Sequence, residues 1–332
     1  MKKFLTLLAM SLVLLSCTKQ EIYEDESYSN LTVYVNSKEL TKAVPTKDPK
    51  LVENTINKVV IGVFKSDGTV KTIKEFTSVG KSVTMRVANL STTDKVLCAI
   101  NNTGVSFSDC KTINDFNNKE ITLDNSLTSN TVDIIPSNLP MYGEGTVTGN
   151  GDNYTSDINA YHLNTKVTLN ALTIALPNRG TFTPKEIFLI NNPGSIKFSY
   201  ANPFTSSIYY HGALNSSISE QNQKLYLGSS NINSTVNQLF FYTSPNNSTK
   251  NTKLVIFGTY DADGNGGSIQ SKNTYYPITI DKTLLPNKNY ILNVSIKGQG
   301  VDNPTDDLNY SNLIVTINAN NFEDISKDFP MD

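Results

Sequence analysis

Short runs in which apolar and polar residues alternate recur along most of the chain. The first run places Leu31, Val33 and Val35 on one side of an extended segment. Turn-forming Gly, Asn, Asp and Pro residues separate the runs. A period of two residues is typical of strands with one buried face, whereas helical periodicity is almost absent and only residues 107–116 weakly indicate a short helix. The pattern therefore predicts an all-β fold made of antiparallel β-sandwiches.

The predicted strands fall into two groups. The first group covers residues 31–35, 59–64, 70–76, 82–87, 95–100 and 161–174, and the second covers residues 186–191, 238–243, 253–260, 275–280, 289–297 and 312–319. The strand-breaking sequence Pro177-Asn178-Arg179-Gly180 lies between the groups. We therefore expect two β-sandwich domains in tandem, residues 44–177 and residues 178–332, the second carrying a terminal donor segment. Residues 193–234 are rich in Ser, Asn and Tyr without a clear period, and should form long surface loops.

The N-terminus has the pattern of a lipoprotein signal peptide. Met1-Lys2-Lys3 is basic, residues 4–15 are apolar, and Ser16 directly precedes Cys17. The apolar run is too short for a stable membrane-spanning helix. It predicts a signal peptide over residues 1–16, cleavage before Cys17, and attachment of acyl chains to Cys17. The alternative is an ordinary signal peptide followed by an incidental thiol.

A basic site follows the first predicted strand. Thr41-Lys42-Ala43 offers Lys42 to a trypsin-like protease, with Ala43 as the new N-terminus, although a Lys in a polar loop is often only solvated. Residues 17–43 are thus predicted to be a lipidated tether and a removable first strand. Loss of Leu31, Val33 and Val35 from a sandwich would uncover an apolar groove with unpaired backbone groups, which an incoming strand could fill.

Composition narrows the functional classes. The net charge of -2 leaves no electrostatic footprint for nucleic acid. Trp is absent, whereas 16 Tyr and 14 Phe favour strands over helices. Cys98 and Cys110 remain after Cys17 is assigned to lipid, and they form either a disulfide or two reduced thiols, of which Cys98 lies in an apolar strand.

Candidate catalytic and metal-binding patterns are weak. Asp261-Ala262-Asp263-Gly264-Asn265-Gly266 begins like a calcium loop, but Lys272 stands where a bidentate Glu is needed, and a hairpin turn explains the segment. His162 and His211 are the only histidines and have no cysteine partners for a zinc site. A G-x-S-x-G nucleophile turn is also absent. We therefore expect a protein without enzymatic activity, cofactor or metal.

The chain resembles the fimbrillin family of Bacteroidia, the subunits of type V pili. Four features in order carry the resemblance: the Cys17 lipobox; the first strand followed by Thr41-Lys42-Ala43; Leu139-Pro140-Met141-Tyr142-Gly143; and residues 287–298 followed by the terminal strand 313–319. The resemblance implies two transthyretin-like β-sandwich domains and export as a lipoprotein to the outer membrane. It also implies removal of the first strand by a trypsin-like protease, usually after an Arg. Here Lys42 occupies that place, with Lys47 as a second candidate.

The resulting hypothesis is a structural subunit of a cell-surface fimbria that supports adhesion. Its partners would be other copies of itself or related fimbrial subunits, the protease, and outer-membrane lipid bound through Cys17 before maturation. The alternative is a monomeric surface lipoprotein that binds a glycan or a host protein. The donor strand is expected at the C-terminus, through Leu313, Val315 and Ile317. If that strand completes its own domain, the donor is the tail beyond it, anchored by Phe322, Ile325 and Phe329.

Overall fold

A computed structural model describes residues 27–37, 53–77, 79–80, 82–102, 104–122, 138–201, 204, 209–210, 224–225, 239–266 and 271–321. Strands dominate these residues, which confirms the all-β prediction. The one α-helix among them, α1 (Ile113–Asn117), overlaps the end of the weak helix signal. Thr112 caps it and forms a reciprocal capping box with Asp115.

The N-terminal half is built around one eight-stranded sheet in the order β3-β2-β5-β7-β9-β1-β4, with β8 paired to β9. Its strands are β1 (Tyr28–Ser37), β2 (Val59–Phe64), β3 (Val70–Phe76), β4 (Ser82–Ala88), β5 (Lys95–Ile100), β7 (Met141–Thr146), β8 (Thr148–Asn150) and β9 (Asn153–His162). A further short strand, β6 (Glu120–Thr122), lies outside this sheet.

The alternating runs supply the core of this half. Inward residues of β1, β4 and β9 pack with those of β2, β5 and β7 in one apolar cluster, so the sheet encloses its own core. Strand β2 is buried along its whole length because it contributes to two clusters. Ile61 and Val63 face the enclosed core, whereas Val60 and Phe64 face a second cluster on the other side.

The second cluster of the N-terminal half is completed by residues from later in the chain. Strand β13 (Ser195–Lys197) pairs with β6, and Ile196 and Phe198 are buried beside Phe107 and Phe116. The Tyr200 hydroxyl donates to the carbonyl oxygens of Tyr142 and Tyr161, at 2.8 and 2.6 Å. The expectation of surface loops over residues 193–234 is therefore wrong for residues 195–200, which cross back over the first half and cover its apolar face.

The C-terminal half contains two four-stranded sheets. Their orders are β16-β10-β19-β20 and β15-β11-β17-β18. The strands are β10 (Thr165–Ile174), β11 (Thr181–Ile190), β15 (Lys224–Leu225), β16 (Leu239–Thr243), β17 (Lys253–Asp261), β18 (Ser271–Thr279), β19 (Lys288–Ile296) and β20 (Leu313–Asn321), together with the short pair β12 (Asn192–Pro193) and β14 (Tyr209–Tyr210). Inward residues from both sheets share one apolar core, as in a β-sandwich.

The chain passes from the N-terminal sheet to the C-terminal sheets earlier than the sequence pattern suggested. Residues 161–174, predicted as one strand of the first domain, are divided between β9 and β10, with a bend at Leu163 and Asn164. Strand β10 pairs with β16 and β19, so it belongs to the C-terminal sheet. We therefore propose that the two domains divide at Leu163-Asn164, one strand earlier than the boundary expected at residue 177.

Candidate functional site

Strand β1 occupies an interior position in the N-terminal sheet, although it is the first described segment of the chain. It runs antiparallel to β4, where Leu31 pairs with Met85 and Val33 with Val83. It runs parallel to β9 on its other side, where Val33 pairs with Ser156. Backbone groups on both edges of β1 are therefore paired, and its departure would leave two unpaired edges facing each other.

The three β1 residues singled out from the sequence all point into the core. Leu31 and Val33 are fully buried, and Val35 is 5% exposed. The outward residues differ, since Tyr28 and Tyr34 are 50% and 40% exposed. Burial of a Leu or Val side chain contributes about 1.5–3 kcal/mol, so the three contribute about 5–9 kcal/mol before ordering costs. Strand β1 is thus a core element, and the cleft that it fills is a deep apolar groove.

The two ends of the segment between β1 and β2 lie near each other. At its upstream end, Ser37 pairs with Ala160 on β9. At its downstream end, the Asn54 side-chain oxygen lies 2.9 Å from Nε2 of His162, two residues farther along β9. Two strand residues span about 7 Å, so a cut between residues 38 and 52 need not move either end. Cys17, Lys42 and Ala43 themselves lie outside the described residues.

The predicted donor strand is β20, and in this chain it completes its own sheet. It pairs antiparallel with β19 from Leu313 to Asn321 and forms the edge of that sheet. Leu313 is buried, Val315 and Ile317 are only half-buried against the core, and Ile314 is 49% exposed. Among the described strands, β20 therefore has a neighbour on one edge only, and its apolar face is incompletely buried. Phe322, Ile325 and Phe329 lie outside the described residues.

A buried polar cluster joins the two halves next to the end of β9. Glu53 Oε1 lies 2.5 Å from Lys166 Nζ, both side chains are buried, and the Tyr242 hydroxyl donates to the same oxygen. Burial beside Lys166 lowers the pKa of His162 to about 3, so His162 stays neutral in neutral solution. Sequence reasoning missed this cluster because a single Glu in a polar stretch carries no signal of burial.

The weaker chemical candidates have structural explanations. Asp261 accepts hydrogen bonds from the backbone N–H groups of Asp263, Gly264 and Gly266, which turn the chain at the end of β17, and β17 pairs antiparallel with β18. These bonds, that from Gly266 foremost, lower the pKa of Asp261. Cys98 and Cys110 are buried free thiols. Within the described residues no three His, Cys, Asp or Glu side chains gather as metal ligands, and no helix is long and apolar enough to cross a bilayer.

Comparison with known proteins gives a consistent result. Residues 29–192 match the profile of the major fimbrial subunit protein (FimA) family. No curated protein sequence is significantly similar to the chain. A candidate cell adhesion protein from Bacteroides eggerthii superposes with a TM-score of 0.70 at 22% identity, covering 90% of this chain and 97% of that one. A fimbrilin (FimA) from Porphyromonas gingivalis superposes with a TM-score of 0.63 at 15% identity, covering 89% and 97%.

The two kinds of similarity support different statements. At these identities the solved structures show a shared fold over most of both chains. The profile match adds a relationship in sequence, and it begins at Ser29, within β1, and ends at Asn192. It therefore includes the strand that fills the apolar groove. The profile match places residues 29–192 in the fimbrillin family, whose members are structural subunits of cell-surface fimbriae and not enzymes, and the solved structures show that about nine-tenths of the chain shares its fold with a fimbrilin.

Proposed function

We propose that this chain polymerises into a fimbria by strand exchange after its own first strand has been removed. The observation that carries the proposal is the position of β1, a fully integrated interior strand that joins the rest of the protein only through residues 38–52. A single cut in those residues, such as one after Lys42, makes β1 a separate segment. What remains is a subunit with an apolar groove and two unpaired strand edges, which an incoming strand satisfies.

The chain reaches this state as an exported lipoprotein in our proposal. Acyl chains on Cys17 hold the precursor at the outer membrane, with β1 between the lipid and the rest of the fold. A trypsin-like protease cuts after Lys42 and releases the subunit from the lipid in the same step that opens the groove. Anchoring and activation are thus coupled, because one covalent bond controls both.

Strand β20 completes its own sheet, which leaves the tail beyond it as the alternative donor, but we propose that β20 leaves this edge position and acts as the donor itself. Its inward residues Leu313, Val315 and Ile317 repeat the apolar spacing of Leu31, Val33 and Val35. Val315 and Ile317 are half-buried in their own sheet, whereas Val33 and Val35 are almost completely buried in the groove. Transfer of β20 into the groove of a neighbouring copy therefore buries more apolar surface than β20 buries in its own sheet. Fibres built in this way support adhesion by presenting the subunits at a distance from the cell surface.

The proposal predicts that assembly requires the cut at Lys42. Purified precursor treated with trypsin should lose residues up to Lys42 and form a ladder of polymers on an unboiled gel. Since Lys38, Lys47 and Lys50 lie in the same segment, the variant in which these three residues and Lys42 are all Gln should remain monomeric, and restoring Lys42 alone should restore assembly. Labelled palmitate should be present before the cut and absent from Cys17→Ser. A chain cleanly cut after Lys42 that stays monomeric would contradict strand exchange and favour a monomeric surface lipoprotein that binds a glycan or a host protein.

A further inference from the structure

The apolar groove contains one buried polar group that β1 does not satisfy. Ser156 lies on β9, and its side chain is fully buried. Its hydroxyl has no hydrogen-bond partner among the residues that the structure describes. The same side of β9 presents Ile158 and Ala160 to the enclosed core, so Ser156 belongs to the wall of the groove. A buried hydroxyl without a partner destabilises the state that contains it.

The residue beside Ser156 belongs to the removable strand. Val33 and Ser156 are register partners across the parallel pair of β1 and β9, and neighbouring strands lie about 4.8 Å apart. On the opposite side, the Ser156 oxygen lies 2.6 Å from where a methyl group added to Gly145 of β7 would be, so the hydroxyl must rotate about χ1 to reach a partner on the strand in the groove. The side chain of Val33 has no hydrogen-bond donor or acceptor. Position 33 is therefore where an incoming strand can provide a partner.

The same chain pairs polar side chains across neighbouring strands elsewhere. The Thr32 and Thr84 hydroxyls lie 3.2 Å apart across β1 and β4, and those of Thr148 and Thr155 lie 3.0 Å apart across β8 and β9. Thr168 donates to Asn289 at 2.8 Å across the parallel pair of β10 and β19. A Thr in the place of Val33 has nearly the same shape as Val and adds one hydroxyl on the same face.

Building on the proposed strand exchange, we propose that Ser156 is a specificity-determining residue of the groove. It selects a donor strand with a Thr or Ser at the central inward position, between two apolar inward residues. Strand β1 is an imperfect occupant, since Val33 leaves the hydroxyl unpaired. When Leu313 of β20 takes the place of Leu31, Val315 takes the place of Val33. Strand β20 of this chain therefore also leaves the Ser156 hydroxyl without a partner. A related subunit whose donor carries a central hydroxyl is thus preferred over a second copy of this chain.

The first test uses the intact precursor and does not depend on strand exchange. Denaturant unfolding is measured for the parent, Val33→Thr, Ser156→Ala and the double variant. The quantity compared is the factor by which Val33→Thr changes the unfolding equilibrium constant. We expect this factor to favour the folded state at least about tenfold more in the parent than in the Ser156→Ala background. Ser156→Ala alone should stabilise the parent. Equal effects of Val33→Thr in both backgrounds, within about twofold, would overturn the inference and indicate that the hydroxyl is satisfied in another way, for example by a trapped water.

The second test measures selection of the donor. Peptides with the sequence of residues 311–321, one native and one with Val315→Thr, are titrated against chain cut after Lys42. For each chain, the affinity for the Thr peptide is divided by the affinity for the native peptide. This ratio should be at least about tenfold higher for the chain with Ser156 than for Ser156→Ala. The same ratio in both chains would overturn the inference while leaving strand exchange intact. Failure of both peptides to bind would instead contradict the proposed function. The unfolding measurements on the four precursor variants would then be the only test of the role of Ser156.

Discussion

Replacing Val33 by Asp should greatly destabilise the precursor and have no effect on the cut subunit. Val33 is fully buried, and the core around it contains apolar side chains from β4, β9 and the facing strands. An unpaired carboxylate in such a site destabilises a fold by about 3–5 kcal/mol, by analogy with breaking a buried ion pair. Denaturant unfolding of the precursor measures this loss directly.

The matched control for this substitution is Tyr34→Asp, one residue farther along the same strand. Tyr34 points to the other side of the sheet and is 40% exposed, so we expect a change of about 0.5 kcal/mol or less. After cleavage at Lys42, neither substitution remains if β1 departs, and both chains should have the same stability and assemble alike. Equal destabilisation by the two substitutions would contradict the buried position of β1. A persistent difference after cleavage would show that β1 stays in the groove.

The second large effect is expected at the polar cluster between the two halves. Lys166→Met removes the cation beside the buried Glu53 carboxylate. It also removes the contact between the Lys166 ammonium group and the Tyr242 ring. Breaking one side of a buried ion pair typically destabilises a protein by about 3–5 kcal/mol, whereas replacing both partners with apolar residues is often neutral. The double variant Glu53→Leu with Lys166→Met should therefore recover most of the stability lost in the single variant.

An exposed ion pair on the same protein provides the control for this prediction. Lys272 and Asp302 lie 3.3 Å apart, with both side chains largely exposed. Lys272→Met should change the unfolding free energy by about 1 kcal/mol or less, since solvent screens the pair. A loss of similar size in Lys166→Met and Lys272→Met would contradict the view that Glu53 needs its partner because water is excluded.

The sequence pattern predicted most strands because a period of two residues is a local signal. It identified β1, β4 and β20 and the inward residues Leu31, Val33 and Val35, which are buried as expected. It treated residues 161–174 as one strand because β9 and β10 both alternate and only a short bend at Leu163-Asn164 separates them. The parallel pairing of β1 with β9 was not predictable, since strand direction depends on contacts distant in sequence.

The structural features that sequence reasoning missed lack a periodic signal. Ile196 and Phe198 lie in a stretch with no clear period, and only the apolar surface of the other half explains their burial. Glu53, Lys166 and Tyr242 come from three distant segments, and each residue alone has the sequence context of a solvated side chain. The unpaired hydroxyl of Ser156 likewise depends on which residue becomes its neighbour across the sheet. Contacts between distant segments therefore determine these three features.

The most direct test of the central claim is a disulfide between the groove of one subunit and β20 of another. Thr32 faces Thr84 in the precursor. If Leu313 of a neighbouring copy takes the place of Leu31, Ile314 takes the place of Thr32. Chains carrying Thr84→Cys are mixed with chains carrying Ile314→Cys, cut after Lys42 and oxidised. In the control, Ser82→Cys replaces Thr84→Cys, which moves the groove cysteine two residues along β4. Antiparallel partners meet the geometry of a disulfide, and positions two residues away do not. We predict a covalent dimer for Thr84→Cys and far less for Ser82→Cys, whereas polymers that form without the Thr84–Ile314 cross-link would contradict the account.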